Sequence, residues 1–411
     1  MPRRGPANTT RSSHSNFRSP HTPSDVMMRL RPVLLLLGAS LVAVPFSATP
    51  DGLTSTSQAA ACTPTVQVLP LAPGDLRGNL VAMNDQGWAV GTSEDLSGPQ
   101  DIGHTLLWRG PGAPVDLGLG THVNEDGSRV TWEVIDINND GVVAMQRFRR
   151  IPGGVTRASA HLWHDGEATR LPGGRPDNDV TISGLNDHGT AVGTLDPRRP
   201  GAPARAVIWR DGSLIHLPVP RGTSSTADQI NNFGLVTGGV LRPGQHLPRK
   251  PWFWRLGGGS GPISVPAGHF GLHSLIDDRD QIVMTAERRG RVEQLLFRGP
   301  RSEPTILDHR RIDAMNDGDV VGHYEDDHLS RHQAWVATLH SSTRHLLPPP
   351  DVVPPEAPAE EFGWDSTNIY ARTVTRGVSD FAPQGGVTVG GTAKDWENNG
   401  WPTIWTCVAT S

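Results

Sequence analysis

A short pattern recurs about seven times along this chain: an apolar run, Asn-x-x-Gly, Val-Gly-Thr or a near variant, and a Trp some 20–25 residues further on. It is clearest at Asn84-Asp-Gln-Gly87 followed by Trp108, and at Asn186-Asp-His-Gly189 followed by Trp209. The turn position falls at Asn84, Asn138, Asn186, Asn231, Asp277, Asn316 and Ser379, in steps of 54, 48, 45, 46, 39 and 63 residues. The aromatic falls at Trp108, Trp163, Trp209, Trp254, Phe297, Trp335 and Trp405. A period of this length means that one supersecondary unit has been multiplied, and it constrains the fold more than any single residue does.

Each unit offers four extended runs. Asn-x-x-Gly is a hairpin signal: the Asn side chain bonds its own backbone, and Gly87, Gly141, Gly189 or Gly234 supplies a positive φ. The flanking runs, such as Val142-Val143 and Val320-Val321, are β-branched. A short apolar stretch closes the units, as at Val115-Asp-Leu117, Ile215-His-Leu217 and Ile263-Ser-Val265. No segment after residue 62 carries a long helical period. Four strands per 40–50 residues predict an all-β chain, a seven-bladed β-propeller of four-stranded blades. A β-solenoid is the rival, but it uses shorter rungs and capping ends. Here the seventh unit stops at Trp405-Thr-Cys407 and lacks a fourth strand, and an orphan strand, Val66-Gln-Val-Leu-Pro-Leu71, precedes unit one. A ring in which that N-terminal strand completes the last blade accounts for both.

The only two cysteines, Cys62 and Cys407, flank this seam, so a closed ring predicts that they are neighbours and form a disulfide. Residues 1–61 read differently from the rest. A polar, Arg-rich start leads to an apolar run at about 33–44, of secretory and not membrane-spanning length, which predicts a signal peptide. The true start is Met1, Met27 or Met28, and cleavage near Ala48 or Ala61 leaves 62–411 as one propeller domain. A lipidated Cys62 is the competing fate of that residue. The leader holds six Arg and two Asp, so residues 62–411 carry 31 basic and 40 acidic residues, net −9. That disfavours nucleic acid or an anionic membrane as partner. The predicted location is extracellular or cell-wall associated, and the predicted state a monomer. The acidic, Pro-rich run at 348–361 reads as a surface loop between blades six and seven.

The repeat resembles the HAF repeat family of extracellular repeats, whose pattern is Ile-Asn-x-x-Gly-x-Val-Val-Gly, a spacer, Ala-Phe-Leu-Trp, then Leu-x-x-Leu-Gly. Ile137-Asn138-Asn-Asp-Gly141-Val-Val143, Ala206-Val-Ile-Trp209 and Val115-Asp-Leu-Gly-Leu119 carry the resemblance. It spans about 66–407, with units five and seven degenerate: Asp277-Asp-Arg-Asp280 lacks the Gly, and Phe297 replaces Trp. The resemblance implies a secreted, propeller-like protein and supplies no catalytic residues.

Several motifs invite a chemical reading. Asp136-Ile-Asn138-Asn-Asp140-Gly141 matches the first half of a calcium loop, but Arg147 stands where the bidentate Glu belongs, so it reads as a hairpin turn. His323, Asp326, His328 and His332 form the densest run of metal-ligand types, on one predicted hairpin, and are the candidate metal ligands against a solvated polar loop. The in-register Trps are packing residues. Trp88, Trp132, Trp252, Trp364, Trp396 and Trp401 are extra. Trp396 and Trp401 flank Glu397, and with Trp252 they are the candidate sugar-stacking residues, against the plainer reading of Trps lying on their own blades. Gly91, Gly193, Gly238, Gly322 and Gly390 recur after the second-strand Val and read as places where backbones come close.

No nucleophile motif, phosphate loop or zinc-hydrolase motif is present, and no cofactor is expected. A repeated scaffold with variable loops points to a secreted, non-catalytic propeller that binds a ligand, a polysaccharide or a protein, through its loop face. The alternatives are a carbohydrate-active hydrolase or lyase on the same scaffold, and a structural protein of the cell envelope.

Overall fold

The chain divides into two units, Met1–Thr56 and Ser57–Ser411. The computed structural model describes residues 62–409 apart from 96–101, 175–176, 200, 243–248, 308–310, 327–330, 341–343, 349, 351–373, 380–386 and 395–399. These residues all belong to the second unit. The expected signal segment and most of the Pro-rich run at 348–361 lie outside the described residues.

Among the described residues there is no helix, and 28 strands form seven four-stranded antiparallel blades. Blade 3 shows the plan: Asn178–Leu185, Ala191–Pro197, Arg205–Arg210 and Ser213–His216, paired in that order from the inner strand outward. Blade 7 consists of Val374–Ser379, Val387–Lys394, Gly400–Ala409 and, as its outer strand, the N-terminal Cys62–Val68. Val66 stands opposite Trp405 there. The ring is closed by the strand Cys62–Val68, as the missing fourth strand predicts, although it lies a few residues ahead of 66–71. In blade 4 the outer strand is Ser260–Pro262, just ahead of Ile263. Blades 1 and 2 share one eight-stranded sheet. The outer strand of blade 1, Val115–Val123, does not stop at Leu117 but runs on to pair with the inner strand of blade 2, Arg129–Ile137.

The core is not central. It is divided into seven apolar clusters, each joining two adjacent blades. One joins Leu69 and Ala72, at the end of the N-terminal strand, to Leu80 and Trp108 of blade 1. Another joins Val336 and Leu347 of blade 6 to Val389 and Trp405 of blade 7. Seven wedges around seven blades leave no open edge in the ring. Four repeat Trps also reach backward. The indole N–H of Trp108 donates to the carbonyl of Pro70 at 2.7 Å, and those of Trp209, Trp254 and Trp405 to Pro172, Pro218 and Pro348 at 2.7–2.8 Å. Each of those prolines follows the Leu that ends the preceding blade's outer run. Trp163 is buried, but its Nε1 has no such partner among the described residues. The strand before it does not end in Leu-Pro.

Four of the five second-strand glycines, Gly91, Gly193, Gly238 and Gly322, are where backbones meet; Gly390 instead faces the side chains of Leu80 and Met83. A Cβ on Gly91 would lie 1.9 Å from the carbonyl oxygen of Asn79, and one on Gly193 2.0 Å from that of Thr181. Both face a bulge in the inner strand, where the register skips one residue.

Candidate functional site

The inner strands end in the Asn turns, and these turns ring a central cavity of about 340 Å³. Gly87, Gly141, Gly189 and Gly234 take φ of 69–77°, as the hairpin reading of Asn-x-x-Gly requires. In the turns of blades 1, 3 and 4 the Asn carbonyl oxygen accepts two backbone N–H groups, and in blade 2 it accepts that of Val142. In blade 3 these come from His188 at 3.1 Å and Thr190 at 2.9 Å. The Asn amide then does something that the sequence does not announce: it donates to the backbone carbonyl of the next blade's turn residue. Asn84 donates to Asn138 at 3.0 Å, Asn138 to Asn186 at 3.2 Å, Asn186 to Asn231 at 3.1 Å and Asn231 to Asp277 at 2.8 Å.

The residues one place further on form a second, concentric chain that alternates acid and amide: Asp85, Asn139, Asp187, Asn232 and Asp278. The amide of Asn139 donates to both Asp85 and Asp187, at 2.8 and 2.9 Å. That of Asn232 donates to Asp187 and Asp278, both at 2.7 Å. From blade 6, the Asn316 amide donates to Asp85 at 2.5 Å. Three of the acids around the cavity, Asp85, Asp187 and Asp278, are thus held by amides. Among the described residues no three His, Cys, Asp or Glu side chains come together as a metal site.

Two acids lining this cavity are shifted. Burial pushes the Asp136 carboxyl up to about 6, although it accepts N–H bonds from Leu185 and Ile137. The same bond into the next blade is made in blade 4 by Gln229, whose side-chain oxygen accepts the N–H of Ile276 at 3.0 Å. A neutral amide does this work equally well, so Asp136 is a structural acceptor. Burial also pushes Asp277 up to about 6. Its Oδ1 accepts the turn N–H groups of Arg279 and Gln281, as an Asn would, but its Oδ2 has no partner among the described residues. Beside it Asp280 takes the Gly position with φ 61° and pairs with Arg255 at 2.5 Å.

The other predicted site residues fall as follows. Trp252 lies in the third strand of blade 4, half-buried against the wedge between blades 3 and 4. Trp401 is half-buried in the third strand of blade 7, opposite Ala393, while Trp396 and Glu397 lie outside the described residues. His323 and Asp326 lie in the second strand of blade 6 and His332 in the third, with Glu325 opposite His332. Their side chains and His328 lie outside the described residues. Cys62 and Cys407 lie on paired strands, but Cys62 stands opposite Ala409 and Cys407 opposite Pro64, a diagonal offset of two residues. In blade 6 the turn is one residue shorter than the repeat: Asn316 pairs with Asp319 around Asp317-Gly318, both with positive φ, a two-residue hairpin.

The architecture defines a seven-bladed β-propeller. No family model and no curated protein matches the chain. Solved structures similar to it are propellers. A putative TolB from Agrobacterium tumefaciens is 11% identical, with TM-score 0.38 over 60% of this chain and 88% of that one. The β-propeller domain of the Trilobed protease from Pyrococcus furiosus is 10% identical, with TM-score 0.40 over 66% and 98%. A prolyl endopeptidase is 10% identical, with TM-score 0.42 over 78% of this chain and 55% of that one. At such identity the likeness concerns the fold alone.

Proposed function

We propose that this is a secreted, non-catalytic propeller of the HAF-repeat type that binds a ligand or protein partner through one face, a polysaccharide being the first candidate. The observation that supports this is the contrast between the two ends of the blades. Strands alternate in direction, so the first-to-second-strand turns all lie at one end, where blades 1 to 4 repeat one turn built on Asn and blade 5 builds the same turn on Asp277. The opposite end carries the connections from second to third strand and from blade to blade. There the connections between second and third strands range from the two residues Arg289-Gly290 to the eight of 242–249, and the longest link, from blade 6 to blade 7, includes the Pro-rich run. At the Asn end the connections from third to fourth strand also vary, from two residues (165–166, 211–212) to seven (298–304), but the longest connections, 242–249 and the link into blade 7, lie at the opposite end, which fits recognition by loops there. A glycan and polysaccharide array, run beside a hydrolysis screen on the same ligands, tests it. Binding without turnover is expected, and turnover of a bound glycan would replace this reading with that of a hydrolase or lyase.

Secretion and a disulfide at the seam belong to the same proposal. With Cys62 and Cys407 on paired strands, a bridge would lock the ring by roughly 6 kcal/mol in the chain-entropy picture. The diagonal offset requires the strand ends to slide or bend together to reach disulfide distance. Mass spectrometry of the secreted protein without reductant is expected to find the Cys62 and Cys407 peptides linked; two free thiols would remove the lock.

A further inference from the structure

The wedge between blades 1 and 2 differs from its neighbours in what fills it. In blade 3 the flank turned toward blade 2 is plugged by Val180, Leu195 and Val207, all buried in one cluster. Val180 lies six residues before the turn Asn, Leu195 nine after it, and Val207 two before the repeat Trp. Counted the same way, blade 2 has Trp132, Arg147 and His161. The pairing confirms the equivalence: Trp132 stands opposite Arg147 as Val180 stands opposite Leu195. Arg147 and His161 share their strands' blade-1 face with Val143, Met145 and Trp163, which pack against Val90 and Leu107 of blade 1. Beyond that cluster, on the same flank, lies a cavity of about 550 Å³ at the loop end of the blade, lined by blade 2 residues and by Asn178 at the start of blade 3.

Its charge is one-sided. Arg147, Arg149, Arg157 and Arg170 all line it. Arg149 is committed to Asp126 and to Ser128 Oγ. Arg147 and Arg170 make no ion pair among the described residues. The Arg147 guanidinium lies 5.7 Å from the Trp132 ring centroid, and the His161 ring meets Trp132 edge-on at 4.7 Å. Burial, with Arg149 and Arg170 nearby, lowers the Arg147 pKa. His161 is only 8% exposed, and its Nε2 lies 3.1 Å from Ser159 Oγ. Its Nδ1 has no partner among the described residues. Burial, with Arg147 and Arg170 nearby, holds His161 down at about 4, so the ring is neutral at pH 7. In a chain of net charge −5 this is a concentrated cationic site.

The chemistry that answers it has two parts. Guanidinium forks match a planar carboxylate in a bidentate geometry. The remaining wall is apolar or aromatic, with Trp132, Ile151, Ala158 and Ala168, and the volume is that of a small-ligand pocket. A pyranose offers a C–H face for such a wall and hydroxyls for His161 and Asn178. Resting on the loop-face reading, we propose that this cavity binds an acidic sugar, with its carboxylate on Arg147 and Arg170 and its ring against Trp132 and Ala168.

Calorimetric titration of the secreted protein with digalacturonate, a sulfated disaccharide, a neutral disaccharide and inorganic sulfate tests the assignment. Digalacturonate is expected to bind, and Arg147→Gln and Arg170→Gln each to weaken it at least tenfold with the melting temperature unchanged. The triple variant Trp132→Val, Arg147→Leu, His161→Val, which installs blade 3's plug, is expected to abolish binding. Equal binding of inorganic sulfate or of the neutral sugar would overturn the assignment, as would unaffected binding by these variants. If array ligands bind but digalacturonate does not, this inference fails and the loop-face reading stands. If the protein hydrolyses what it binds, the non-catalytic reading fails while the cavity assignment stands on the variants.

Discussion

The joint between blades 3 and 4 and the joint between blades 5 and 6 start from the same turn. In the first, Asn186 satisfies its own turn with Oδ1 and reaches the next blade with Nδ2. In the second, Asp277 satisfies its own turn in the same way and then has nothing to donate. Its Oδ2 lies buried without a described partner, next to Asp317, whose Oδ1 is in the same position. The turn needs only an acceptor, whereas the joint needs a donor. One atom therefore separates a self-contained hairpin from a fastener between blades.

The largest effect is expected where a blade is both packed and tethered. Trp209→Ala removes a buried indole from the wedge between blades 2 and 3 and its bond to Pro172. A loss of about 3–5 kcal/mol in denaturant unfolding is expected. Trp209→Phe keeps the packing, as Phe297 does in blade 5, and is expected to cost about 1 kcal/mol. Next comes Asn186→Ala, which leaves the N–H groups of His188 and Thr190 and the Asn231 carbonyl without this partner. About 2–4 kcal/mol is expected. Asn186→Asp keeps the acceptor and loses the donor, so blade 3 takes on the character of blade 5. It is expected to cost less than the Ala variant and to become pH-dependent.

The smallest effect has the opposite sign. Asp277→Asn supplies the missing donor and removes a buried carboxyl, and a gain of about 1 kcal/mol at pH 7.5 is expected. The gain depends on pH. The folded-state pKa of Asp277, about 6, lies above the ordinary 3.8. The native state therefore holds the proton more tightly, and this group lowers stability as pH rises from about 4 to about 6. Arg279 opposes the shift and Asp317 adds to it, while Asp280 is occupied by Arg255. Asp136 adds a slope of the same sign in both proteins, so the difference between them isolates Asp277.

The fold was legible because its signals are local. Asn-x-x-Gly marks a hairpin within five residues, and a missing strand at one end with a spare one at the other marks a closed ring. The fasteners were not legible, because the acceptor of each Asn amide lies 45–54 residues away. The Trp tethers left a faint trace in the Leu-Pro that ends four of the outer runs. The blade 2 cavity was hidden for another reason. Trp132 stands out as an extra Trp, but Arg147 and His161 look ordinary until the strands are superposed on the plugged positions of blade 3. There the Val-Gly-Thr of blades 1 and 3 has become Ala144-Met145-Gln146, followed by Arg147.

The most direct test of the turn-and-fastener account is the unfolding free energy of the wild type and of Asp277→Asn, measured side by side from pH 4 to pH 8. The two proteins are expected to be nearly equal at pH 4, where the protonated acid can donate as the amide does, and to diverge up to about pH 7 with the Asn variant the more stable. A difference that stays constant across that range, or that favours the wild type at pH 7, would contradict it.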